Sequence, residues 1–148
     1  MDGKVKIEEA LAQVPLFEGT TKRHRKRMAA LMELANYMQD YSIVRQGDEA
    51  DSFYVVLEGQ ARVLIDDRVI ATKGPGDYFG EIALLDGGTR TATVYSDTPM
   101  TMLMLRRNEF ERALDEDPTL GRALLRNLAG MLRRLDSALR QAGGSLPS

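Results

Sequence analysis

The apolar positions of this chain change their period twice. Near the start, Ile7, Ala10, Leu11 and Val14 recur at steps of three and four, which predicts a short amphipathic helix over residues 7–13, ended by Pro15. Thr20 or Thr21 is placed to cap a second helix reaching about residue 34, with Met28, Leu31 and Met32 on its apolar side and Leu34 at its margin. The other side of that helix is the basic run 22–27, with His24 inside it. The run reads as a solvated face and His24 as an exposed residue; a patch for nucleic acid or an acidic membrane surface is the competing reading.

From about residue 35 the period falls to two. Tyr37, Gln39, Tyr41 and Ile43 share one face, taken as the inward one, and Met38, Asp40, Ser42 and Val44 share the other. A turn over 46–51 leads to 52–57, a run of β-branched and aromatic residues expected to be a buried strand. Strands at 60–65 and 68–73 follow, joined by a hairpin at Asp66 and Asp67. Two more are expected at 91–96 and 100–105. Short strands with turns between them predict an antiparallel barrel or roll.

The second change of period comes near residue 108. Asn108 is placed to cap a helix over 109–115, and Asp117 and Pro118 break it and start the last helix, 119–141. Along that helix Leu125, Leu128, Leu132, Leu135 and Leu139 alternate steps of three and four, with Leu124 and Met131 beside them. The stripe either packs on the chain's own roll or pairs with a second chain as a homodimer. Gly130 lies inside this helix.

Composition removes several classes of function. The 148 residues hold no cysteine and one histidine, which argues against a zinc site, disulfides and Ser-His or Cys-His catalysis. The net charge of −2 gives no bulk pull toward nucleic acid. No apolar run has the length of a membrane span, and no signal segment opens the chain, so a cytoplasmic location is expected. No metal or cofactor is expected, and the chain is not expected to be an enzyme.

The candidate chemistry lies in residues 74–94. Gly74, Pro75, Gly76 and Asp77 form a tight turn, and residues 80–85 form a helical turn too short for a core helix. A short helix entered through Gly80 offers unpaired backbone N–H groups to an anion, with no Cβ in the way. Arg90 supplies a planar fork of donors suited to phosphate. Glu81 is odd company for an anion unless the ligand also carries hydroxyls that a carboxylate can accept from. The ligand predicted has one phosphate close to one sugar hydroxyl.

Phe79, Gly80, Glu81, Ile82, Ala83, Leu84 and Leu85, followed by Thr89, Arg90, Thr91, Ala92, Thr93 and Val94, resemble the phosphate-binding cassette of the cyclic nucleotide-binding domains. The resemblance implies an eight-stranded antiparallel β-roll (mainly β, jelly-roll-like) with N-terminal helices and a long C-terminal helix. It divides one domain, 1–148, into helices at 5–34, a roll at 35–106 with the cassette at 79–94, and helices at 107–142. It places the cyclic phosphate on Arg90, the ribose 2′-OH on Glu81, and backbone donors at Gly80, Ile82 and Ala83. Thr89 departs from the proline common in the family.

The same resemblance makes the chain a sensor that binds cyclic AMP, or less favoured cyclic GMP, and signals through its C-terminal helix to an effector protein not identified by the sequence. Thr91 bears weakly on the choice of base, since its hydroxyl meets a guanine edge or the phosphate equally well. Leu132, Arg134 and Leu135 are candidates to cap the base. Only a short tail follows Gln141, too little for the helix-turn-helix domain of a transcription factor. The rival reading is a nucleotide-free roll that serves as a dimerisation or scaffold module.

Overall fold

A computed structural model describes residues 7–144. Helix α1 (Ile7–Ala12), a 3-10 turn (Pro15–Phe17) and α2 (Lys22–Ala30) precede the strands. Strands β1 (Glu33–Tyr37), β8 (Met100–Arg106), β3 (Ser52–Glu58) and β6 (Tyr78–Phe79) form one antiparallel sheet in that order. Strands β2 (Ser42–Val44), β7 (Thr93–Ser96), β4 (Ala61–Ile65) and β5 (Arg68–Lys73) form the other. The short α3 (Ala83–Asp86) interrupts the strands, and α4 (Arg107–Glu116) and α5 (Pro118–Gln141) follow them.

Strand β3 shows why the first sheet reads as a continuous apolar run. Alternate side chains point to opposite faces, and both faces of this sheet are covered. Tyr54 and Val56 turn into the roll, where Ala61, Val63, Val94, Met100 and Met102 pack on them. Phe53 and Val55 turn outward under the helices, against Phe17, Leu105, Phe110, Leu120 and Leu124. The helices and the roll therefore share one sheet as a common wall, and the cassette is attached at its edge through β6.

Several boundaries differ from expectation. Helix α2 stops at Ala30, and Leu34, expected at its apolar margin, lies 62% exposed on β1. The single strand expected from residue 35 onward is two strands in different sheets. Asp40 turns the chain between them at φ 61°, and Tyr41 is left 48% exposed. The turn is held by buried Ser96, whose hydroxyl donates to the Met38 carbonyl at 2.6 Å and accepts the Tyr41 N–H at 2.9 Å. A local period of two cannot show which residues change sheets.

His24 is buried, contrary to the reading from charge pattern. Its Nδ1 accepts the Thr21 N–H at 3.1 Å while Thr21 Oγ1 accepts the His24 N–H, so the pair forms a reciprocal cap on α2. Its Nε2 lies 2.9 Å from Thr119 Oγ1, which ties α2 to the start of α5. Lys22, Arg23, Lys26 and Arg27 are exposed as expected, whereas Arg25 is drawn into an ion pair with Glu8 at 2.6 Å. Helix α4 starts at Arg107, so Asn108 sits within its first turn instead of capping it.

The hairpin at Asp66 and Asp67 is present, with φ of 49° and 65°, the mirror-image turn that matches strand twist. Asp117 caps α5 by accepting the Thr119 N–H at 3.1 Å, and Pro118 takes the first helical position. The leucine stripe of α5 divides. Leu120 and Leu124 enter the core and Leu128 packs at its margin, while Leu125, Leu132 and Leu135 are 68%, 57% and 50% exposed.

Candidate functional site

The main chain fixes Arg90 before its side chain is considered. The Arg90 N–H donates to the Asp48 carbonyl at 2.7 Å, and its own carbonyl accepts the Gly47 N–H at 2.9 Å. Nearby, the Ala50 N–H donates to the Gly88 carbonyl at 2.9 Å. The segment after α3 is thus zipped to the turn before β3. The Arg90 side chain runs inward and is only 8% exposed.

Its guanidinium is half satisfied. Nη2 donates to Ser52 Oγ at 3.2 Å, and the carbon of the group lies 5.9 Å from the centre of the Tyr54 ring. Nη1 is buried and has no partner. Burial lowers the Arg90 pKa, opposed by the charges of Tyr54 and Asp51. An unpartnered buried donor of this kind is costly and calls for a reason. Neither nearby acid of the cassette pairs with Arg90 among the described residues: Asp86 Oδ1 accepts the Gly88 N–H at 2.8 Å, and no ion pair joins Arg90 to Glu81.

Gly80 faces this orphan amine. Its φ is +83°, and a Cβ there would collide with Arg90 Nη1 and stand 2.9 Å from the Ser52 carbonyl oxygen. From the sequence, the missing Cβ makes room for a ligand; in the structure it first makes room for the arginine. Among the described residues the N–H groups of Gly80 and Ile82 have no acceptor. The Ala83 N–H, the third expected donor, already bonds the Gly80 carbonyl at 3.2 Å.

These groups line a cavity of about 180 Å³ between Gly80, Glu81, Ile82 and Ala83 on one side and Arg90 and Thr91 on the other. A second cavity of about 330 Å³ shares Gly80, Glu81, Arg90 and Thr91 with it and extends between the sheets. Its far wall is apolar, built from Val44, Val63, Ile65, Ile70 and Val94. The half-buried Glu81 carboxylate belongs to both, and after burial itself it is the main cause of the raised Tyr78 pKa. The space therefore runs from a cation with free donors, past a carboxylate acceptor, to an apolar slot.

All six residues expected to bind, Gly80, Glu81, Ile82, Ala83, Arg90 and Thr91, line the first cavity. Leu132, Arg134 and Leu135 line neither. Arg134 instead lies 3.7 Å from Glu18, beside the N-terminal segment. Sequence reasoning missed Ser52, Tyr54, Lys73 and the apolar wall. A serine two residues before an inward tyrosine on an otherwise apolar strand was the available signal for the first pair.

The profile of the cyclic nucleotide-binding domain matches residues 34–117, a stretch that contains the whole of this cavity pair. The chain belongs to the cyclic nucleotide-binding domain family. It is similar to the cAMP-dependent protein kinase regulatory subunit of Schizosaccharomyces pombe, with 32% identity over 108 residues. That match covers 72% of this chain and 26% of the relative, so the chain spans about a quarter of its length. The N-terminal domain of a transcriptional regulator from Streptomyces coelicolor A3(2) superposes with a TM-score of 0.80 at 29% identity, covering 87% of this chain and 96% of that one. The catabolite activator protein of Thermus thermophilus does so with a TM-score of 0.67, also at 29% identity, over 88% of this chain and 63% of its own.

As a member of this family of regulatory domains, the chain has the expected β-roll of eight antiparallel strands with flanking helices. Among the described residues no helix is long and apolar enough to cross a membrane, and no group of histidines and carboxylates is arranged to hold a metal ion.

Proposed function

We propose that this domain is a sensor for a cyclic nucleotide. The cyclic phosphate takes the free Nη1 of Arg90 and the N–H groups of Gly80 and Ile82. The ribose 2′-OH donates to Glu81, and the base lies in the apolar slot. The observation that carries this reading is the buried, unpartnered Nη1 of an arginine that lines a cavity also holding a carboxylate acceptor. An anion alone would be repelled by Glu81; an anion with an adjacent hydroxyl satisfies both groups. The name of the fission-yeast relative supports cyclic AMP as the preferred ligand.

Signalling in this reading passes from α3 to the C-terminal helices. Gly87, in left-handed conformation at the end of α3, is packed directly against the guanidinium of Arg107 at the start of α4. A ligand that draws α3 inward moves this contact and so biases α4 and α5, by no more than its preference for the drawn-in state. The effector is a partner protein that reads the position of α5. The role is one of binding and release, and loss of nucleotide on incubation with the protein would overturn it. Titration calorimetry with cyclic AMP and cyclic GMP is the direct test. Saturable heat with either supports the sensor, and a flat trace with both leaves the scaffold reading.

The exposed leucines of α5 support a second chain as a partner. Leu125, Leu132 and Leu135 present a seam that the chain's own core does not cover, with Leu128 and Leu139 half-buried along it. Light scattering is expected to give a dimer mass, and Leu132→Glu a monomer with nucleotide affinity retained. A monomeric parent would remove this part of the proposal.

A further inference from the structure

The free amine of Arg90 is useful only if the side chain is held where it is, and an arginine has several rotatable bonds to lose on ordering. Two residues outside the cassette provide that hold. Ser52 is 3% exposed, and its hydroxyl is in contact with three groups: Arg90 Nη2 at 3.2 Å, Asp51 Oδ1 at 3.2 Å and the Tyr54 hydroxyl at 3.4 Å. A hydroxyl carries one proton and two lone pairs. The arrangement that uses all three contacts has Ser52 donate to the Asp51 carboxylate while its oxygen accepts from Arg90 and Tyr54.

Tyr54 does more than complete this set. One side of its ring supports the Arg90 guanidinium at 5.9 Å, and Phe79 stacks on the ring at 4.9 Å with planes 19° apart. Phe79 is the cross-strand partner of Tyr54 and immediately precedes Gly80. The arginine therefore lies against a plate clamped by the strand that enters the cassette. At the outer end, burial and then hydrogen bonding to Tyr54 raise the Tyr37 pKa well above the ordinary phenol range.

We propose that Ser52 and Tyr54 are positioning residues for ligand capture: they fix one amine of Arg90 and the plane of its guanidinium, so that the other amine is left facing the ligand. The inference rests on the nucleotide-sensor reading for its affinity effects, but not for its structural content. Without Ser52 the guanidinium would swing, and binding would have to order it again.

The test uses the full chain and the variants Ser52→Ala and Tyr54→Phe, which remove one hydroxyl each and preserve the apolar shape. Affinity for cyclic AMP is expected to fall about ten-fold in Ser52→Ala and about three-fold in Tyr54→Phe. The double variant is expected to be little worse than Ser52→Ala alone, because the two hydroxyls act through one guanidinium. A purely structural role would not move the second readout, the nitrogen-15 spectrum of the arginine side chain in ligand-free protein. Hindered rotation gives Arg90 separate amine signals in the parent, and these are expected to merge in Ser52→Ala. Parent-like affinity in Ser52→Ala, or separate Arg90 signals retained in it, would overturn the inference. If the parent takes up neither cyclic nucleotide, the sensor reading fails by itself, and the ligand-free spectrum still decides whether Ser52 holds Arg90.

Discussion

In Arg90→Ala, affinity for the cyclic nucleotide is expected to fall by about 2–5 kcal/mol, roughly thirty-fold to a few thousand-fold. The magnitude follows from where the charge sits. A phosphate entering beside a guanidinium that is 8% exposed meets it with little intervening water, and the hydrogen bonds formed are charge-assisted. Stability is expected to move the other way or not at all. Burial lowers the Arg90 pKa, which means that folding disfavours its charged form. For a base so shifted, the penalty is present in full below the folded pKa and is relieved only as pH rises past it, so it acts at neutral pH. Removing the side chain relieves that penalty and the orphan amine together, against the loss of its packing on Tyr54. Arg90→Met, which fills the same space without charge, is expected to melt no lower than the parent while binding as poorly as Arg90→Ala. Titration calorimetry and thermal melting on the three proteins give both answers. Parent-like affinity in either variant would show that Arg90 does not hold the ligand.

The cassette was legible in the sequence because its chemistry is local. Gly80, Glu81, Arg90 and Thr91 lie within twelve residues, and both the tight turn at 74–77 and the helical turn after Gly80 form where short-range preferences put them. The support for Arg90 was not legible, because Ser52 and Tyr54 reach it from a strand 38 and 36 residues away (90 − 52 and 90 − 54). The same distinction explains the errors in the fold. His24 looked exposed because its neighbours in sequence are charged, whereas Thr119, whose hydroxyl meets its Nε2, is 95 residues distant. The residues after 35 looked like one strand because nothing local marks the change of sheet; the hydroxyl of Ser96 does that from 55 residues beyond Tyr41.

The base-capping candidates on α5 lie outside both cavities. Their helix was placed from its leucine period, which says that a face is apolar but not which surface it meets. Asn127 settles the matter on the other side, its amide donating to the carbonyls of Pro15 at 2.5 Å and Leu16 at 2.6 Å. That anchor holds the middle of α5 to the N-terminal segment, and Arg134, two turns further on, pairs with Glu18 there. A signal carried by α5 therefore has to shift contacts with residues 15–18 as well as with α4.

Gly80→Ala is expected to remove binding as completely as loss of Arg90, by a different route. Two costs fall together at this position. The backbone is at φ +83°, where a Cβ adds about 1–2 kcal/mol of strain. The new methyl would also occupy the place of Arg90 Nη1, with the Ser52 carbonyl 2.9 Å away and unable to retreat because it belongs to a central strand. The arginine, as the more movable partner, gives way. It leaves Ser52 and the Tyr54 ring, and the amine that should meet the phosphate is displaced. Gly76→Ala separates the two costs. Gly76 has a similar φ of +89°, but a Cβ there meets nothing within 4 Å, so that variant carries the strain without the collision. Gly76→Ala is expected to lose stability by about 1–2 kcal/mol while binding as the parent does. Gly80→Ala is expected to lose at least as much stability and to show nucleotide affinity lower by about 100-fold or more. Denaturant unfolding and calorimetry on both variants distinguish the possibilities. If Gly80→Ala bound as tightly as Gly76→Ala, the close approach of Arg90 to Gly80 would have no part in ligand capture.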